Sequence, residues 1–193
     1  MKETMTPRER WLAVLNRQKP DRVPMDYWAT AEATQKLLKH LGCDQPEMLR
    51  RLHIDQPFSV GGRYIGPAAP EGQDIWGSRF VKANYGTGSY DEAIAPPLAR
   101  FTSVAEIEAE YRWPLADHWD YSHLSEAIKG QEHRPIRGGG SEPFLHYKRL
   151  RGEEQGYMDL IEYPEIVEYC LGKLFDLAYE GTRRIFETIP GKV

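Results

Sequence analysis

Two short apolar stretches, separated by a long connection, set the topology open to this chain. Residues 22–29 (RVPMDYWA) and 135–140 (PIRGGG) both read as extended, and the chain between them is rich in helix-forming segments. Antiparallel neighbours can be joined by a tight turn, whereas parallel strands need a long and usually helical crossover. The spacing therefore predicts an α/β fold, a parallel sheet with helices outside it. A helix labelled at both ends precedes the first stretch. Thr6 and Glu9 form a capping box around Pro7 at the first helical position, and Trp11, Leu12 and Leu15 recur at helical spacing. Pro20 and Pro24 stop the helix and push the residues before them into extended backbone. On a strand over 22–29, Val23, Met25, Tyr27 and Ala29 share one face, and Pro24, Asp26 and Trp28 the other.

Further along, AEATQKLLKHLG is a helix closed by Gly42, and DQPEMLRRL starts a second with Asp44 and Glu47 in a capping box. HIDQPFSVGGRYIG is extended chain. Residues 74–94 read as a hairpin whose turn is carried by Asn84, Gly86 and Gly88. Ser103 and Glu106 cap a short helix, and DYSHLSEAIKG makes another, stopped by Gly130. After PIRGGG, the residues Ser141, Glu142 and Pro143 open a helix. A strand, a glycine loop and a helix start let backbone N–H groups approach an anionic or carbonyl group, though glycines also make a plain tight turn. From Pro164 to about Thr188 the apolar spacing fits one long amphipathic helix. The closing IPGKV reads as a helix-to-strand connection, so a further strand is expected to begin at Lys192 and Val193.

Bulk properties exclude several classes. With 193 residues, 40% of them hydrophobic, the chain is long enough for one sizeable core. A net charge of −4, with lysines and arginines scattered among acids, leaves no basic footprint for nucleic acid. No apolar run reaches membrane-spanning length and no apolar leader opens the chain, so a cytoplasmic location is expected. Cys43 and Cys170 are far apart with no ligand spacing around them, so no metal site is predicted, and Cys170 sits on an apolar helix face as a packed thiol.

Four passages together carry a family likeness: TPRERWLAVLNRQKPDRVPMDYW, the DIWG of 74–77, the GSYDEAIAPPLA of 88–99, and LRGEEQGYMDLIEYPEIVE of 150–168. In this order they resemble the uroporphyrinogen decarboxylase superfamily, closest to its branch of decarboxylase-like and corrinoid methyltransferase proteins. The resemblance implies the N-terminal part of a (β/α)8 TIM barrel with an inserted β-hairpin, ending before the third barrel strand. RVPMDYWA would be strand one and PIRGGG strand two, in one incomplete barrel domain over 1–193. It implies a tetrapyrrole or a corrinoid protein as partner. Zinc and a corrinoid would serve the methyl-transfer branch, with the zinc ligands in the later barrel half. Two strands cannot close a barrel, so a complementing C-terminal chain or self-association is expected to cover the inner faces, or the piece is inactive alone.

Two chemistries compete within this likeness. Porphyrinogen decarboxylation calls for an arginine-rich loop after strand one, where this chain has ATAEATQK, and for an aspartate near SVGG, where only Asp55 lies close and too early. Both departures favour methyl transfer from a methylcorrinoid to a thiol. Asp26 is the catalytic candidate, or else it anchors a backbone N–H. Trp28, Arg63, Ser141, Glu142, His146 and Tyr147 are the substrate-binding candidates. Packing is the alternative for Trp28 and simple helix-dipole complementarity for Glu142. His53, His118, His123 and His133 share no spacing and read as ordinary.

Overall fold

The computed structural model describes residues 3–140 and 142–193. In chain order its elements are α1 (Pro7–Leu15), α2 (Ala31–Leu41), α3 (Gln45–Arg51), β1 (Phe58–Val60), β2 (Arg63–Tyr64), β3 (Arg79–Asn84) and β4 (Ser89–Ala95). There follow α4 (Val104–Glu110), β5 (Trp119–Asp120), α5 (Leu124–Ala127), β6 (Ile136–Gly138), α6 (Pro143–Arg151), α7 (Glu153–Glu162) and α8 (Pro164–Thr188). The protein is mixed α/β, and among the described residues its strands form three two-stranded sheets. Two units organise the chain. The first holds the residues up to Gly61 with 122–138 and 186–193, and the second holds 62–121 and 139–185.

The first unit begins as its sequence dictates. Thr6 Oγ1 accepts from the Glu9 N–H, the Glu9 carboxylate accepts from the Thr6 N–H, and Pro7 opens the helix. Gly42 closes α2 in the left-handed region at φ +61°. Asp44 caps α3 by accepting from the Glu47 N–H, but the Glu47 carboxylate turns to Arg50 and Arg51. Arg10 is fully buried. It donates through Nε to Asp21 at 2.6 Å and through Nη1 to Asp55 at 2.5 Å, while Arg22 donates to both Asp55 oxygens. Buried charges persist only when paired and hydrogen-bonded, and this cluster meets that condition.

The strand expected over 22–29 does not form; the segment has no ladder, and the reasons are local. Pro24 carries no N–H, Asp55 Oδ2 accepts from the Met25 N–H at 3.0 Å, and Asp26 Oδ1 accepts from the Tyr27 N–H at 2.8 Å, so three donors of a ladder are missing or spent. One backbone bond remains, from Asp55 N–H to the Met25 carbonyl. The strand at 136–138 is present, but its parallel partner is β1, in the register Phe58↔Ile136, Ser59↔Arg137 and Val60↔Gly138. PIRGGG thus follows β1 in strand order, where the sequence reading had it follow 22–29. Arg134 donates to the carbonyls of Gln56 and Pro57, continuing the pairing past the prolines. The expected helix over 120–130 contracts to the four residues of α5, and 191–193 is turn and irregular chain, with no third barrel strand there.

In the second unit, β3 and β4 form the expected antiparallel hairpin, with Asn84 Oδ1 accepting from the Gly86 N–H in its turn. Ser103 caps α4 as its spacing predicts. The core gathers Leu98, Phe101, Ile107, Tyr147, Leu150, Ile166, Val167, Cys170 and Leu174. A polar cluster is buried with it. Arg151 donates to the Leu98 and Phe101 carbonyls and, through Nε at 2.5 Å, to Asp159, which also accepts from Tyr147 and Gln155. Burial pushes the Asp159 carboxyl up, but these donors outweigh it and hold it below the usual carboxylate range. Burial likewise pushes the Cys170 thiol up to about 12, which keeps it protonated and unreactive.

Candidate functional site

Helix α6 has two faces with different tasks. Tyr147, Leu150 and Arg151 point into the core, whereas Glu142, Leu145, His146 and Arg149 line an open polar cavity of about 300 Å³ together with Gly140. The positions 142, 146 and 149 recur one turn apart, as a single helix face requires. The helix starts just beyond the glycine turn. Gly139 has φ +68°, and a Cβ there would come 2.5 Å from Thr182 Oγ1, so both conformation and space call for glycine. Glu142 stands at the N-cap but makes no side-chain cap bond. Ser141 lies outside the described residues.

His146 also borders a second cavity of about 170 Å³, lined by Trp76, Ala116, Trp119, Tyr121, Leu174, Leu177, Ala178 and Gly181. Its apolar wall comes from α8, where 174, 177, 178 and 181 share one face. Two glycines let the aromatic wall close in. A Cβ at Gly62 would come 2.7 Å from the Tyr121 ring, and one at Gly181 would come 2.9 Å from its hydroxyl. Trp76 is set by Asp74, whose Oδ1 accepts from the N–H groups of Trp76 and Ser78, and by Tyr111, which donates to the Trp76 carbonyl. The Trp76 and His146 rings meet edge to face with centroids 4.2 Å apart. Burial holds the His146 imidazole below its ordinary pKa, the Arg149 charge adds to this, and Asp74 opposes it. At neutral pH the ring is therefore uncharged, with one nitrogen to donate and one to accept.

The predicted site residues divide between the two units. Glu142 and His146 come together on α6. Tyr147, one residue on, is fully buried and donates to Asp159. Arg63 donates to Asp120 at 2.7 Å across the β2–β5 pair. In the first unit, Asp26 lies 3.8 Å from Arg137, and Trp28 is 99% exposed, which rules out packing within that unit. Asp55 is committed to Arg10 and Arg22. Sequence reading missed Arg149, Trp76 and Trp119. Arg149 was within reach, since it falls three residues after His146 on the same face. The tryptophans meet α6 only through tertiary structure.

The chain matches no family model, no curated protein and no solved structure. Among the described residues no group of three or more His, Cys, Asp or Glu side chains could hold a metal ion. No described helix is long and apolar enough to cross a membrane.

Proposed function

We propose that this chain supplies the early strands of a (β/α)8 barrel of the uroporphyrinogen decarboxylase superfamily, and that its chemistry is methyl transfer from a methylcorrinoid to a thiol. The observation that carries the reading is the parallel strand pair of the first unit, with an extended segment beside it. Extended residues 24–27 meet 55–56, β1 pairs in parallel with β6, and each step is bridged by a crossover far longer than a hairpin. A parallel strand pair joined by a long crossover is the unit from which such a barrel is built. Support for methyl transfer over decarboxylation comes from Asp55. Its carboxylate is consumed by two arginines and a backbone N–H, so it has no capacity left to face pyrrole N–H groups. In this reading Asp26 and Arg137, 3.8 Å apart, meet the ligand, and Trp28 offers a flat apolar face to it.

The test is a pair of titrations, methylcobalamin and uroporphyrinogen, each followed by its own absorbance change. Methylcobalamin is expected to bind and the porphyrinogen not to. The reverse result would move the reading to decarboxylation, and binding of neither would end it.

A further inference from the structure

We propose that the His146 cleft of the second unit binds a free aromatic α-amino acid, its ring between Trp76, Trp119 and Tyr121 and its charged head between Arg149 and Glu142. The inference goes beyond corrinoid chemistry, because a cavity of about 170 Å³ cannot admit a macrocycle. It does suit a single ring. Aromatic pairs favour edge-to-face and offset contacts, and Trp76, Trp119 and Tyr121 present faces and edges around a floor of Leu174, Leu177 and Ala178. The neighbouring cavity, about 300 Å³ and open, is polar where the first is apolar, and His146 borders both.

The charges at the polar end choose the ligand's head group. Arg149 and Glu142 both line this cavity, and neither side chain makes a hydrogen bond or ion pair among the described residues. A simple carboxylate would satisfy Arg149 and be repelled by Glu142, and a simple amine would do the opposite. A zwitterion satisfies both, with its carboxylate on the guanidinium and its ammonium on the Glu142 carboxylate. The uncharged imidazole between the chambers adds no charge to favour one over the other. Specificity of this kind needs both an attractive and a repulsive element, and the two unpaired side chains provide them.

The test uses calorimetry and tryptophan fluorescence on the full chain, with L-phenylalanine, phenethylamine, phenylacetate and L-serine as probes. L-Phenylalanine is expected to bind, the amine and the acid each at least about tenfold more weakly, and L-serine not at all. Arg149→Gln should weaken L-phenylalanine by about tenfold and tighten phenethylamine, whose ammonium it no longer repels. Glu142→Gln should weaken L-phenylalanine equally and tighten phenylacetate, whose carboxylate it no longer repels. Ala178→Leu, which fills the ring chamber, should abolish binding, and Ala178→Val, a smaller intrusion, keeps the question open if the larger one unfolds. No binding of L-phenylalanine at millimolar concentration would overturn the proposal, as would binding indifferent to both Ala178 variants. No arm uses a corrinoid, so these results stand or fall apart from the methyl-transfer reading.

Discussion

Replacing Asp159 by Ala should be among the most destabilising single changes in this chain. Asp159 is fully buried, and the side chain of Arg151 is 2% exposed. Removing the carboxylate leaves the guanidinium in the core with only the Leu98 and Phe101 carbonyls, and it leaves the Tyr147 hydroxyl without its acceptor. Breaking one side of a buried ion pair costs about 3–5 kcal/mol, because an uncompensated charge stays behind. Against a total stability of about 5–15 kcal/mol for a typical domain, that loss is close to unfolding. The double variant Arg151→Met with Asp159→Ala removes both charges. It orphans two carbonyls and one hydroxyl at about 1 kcal/mol each, roughly 3 kcal/mol in all. The double change should therefore cost no more than Asp159→Ala alone, with a coupling of several kcal/mol in a double-mutant cycle. Urea unfolding followed by tryptophan fluorescence gives the four free energies. Additive losses would refute the reasoning, since they would mean that the two side chains do not depend on one another.

Four further outcomes follow from the same structure. Gly139→Ala should cost about 2 kcal/mol from its left-handed backbone together with the Thr182 contact, and a Thr182→Ala background should recover only the contact's share; full recovery in thermal melts would contradict this. Asp159, Glu47 and Glu180 are held below their unfolded pKa values, so the stability they contribute is present above about pH 5 and is lost as pH falls through their folded values; acid titration followed by circular dichroism should show stability dropping below about pH 5, and a flat profile there would contradict it. His146 should titrate below a free histidine by NMR, and Trp76→Ala, which opens its burial, should bring it back up. Asp26→Asn should keep the Tyr27 N–H bond, and hence the fold; under the proposed methyl-transfer reading it should lower turnover by about 10²-fold, and unchanged turnover would remove Asp26 from that chemistry.

What the sequence makes legible here is whatever short-range chemistry decides. Thr6, Pro7 and Glu9 mark the start of α1, Asn84 and Gly86 turn the hairpin, Ser103 caps α4, and the apolar spacing from Pro164 yields α8, because each depends on neighbours within a turn or two. The reading of 22–29 failed for a reason equally local but easily missed. Alternating polarity favours a strand, yet a ladder needs N–H donors, and here one proline and two aspartate side chains take them away. Strand order was out of reach for another reason. Phe58–Val60 is too short to announce itself, and its pairing with Ile136–Gly138 depends on a contact nearly eighty residues distant in sequence.

The site followed the same division. Glu142 and His146 could be grouped because helical spacing puts them on one face, and Arg149 belongs to that face by the same rule. Tyr147 could not be sorted from them by type, since a tyrosine on a first helical turn serves a ligand or a core equally well. Asp159 decides it, twelve residues on, by offering a buried acceptor to the hydroxyl. Once that bond is made, the rest of α6 is fixed in rotation. Tyr147, Leu150 and Arg151 must face inward, and Glu142, His146 and Arg149 are turned outward to the cleft. The buried carboxylate thus orients the candidate binding face without touching a ligand. Tyr147→Phe therefore has a definite expectation: about 1 kcal/mol of stability lost, with Asp159 still held by Arg151 and Gln155, and L-phenylalanine affinity unchanged. A variant that loses binding while keeping its stability would return Tyr147 to the cleft and undo this assignment of the two faces.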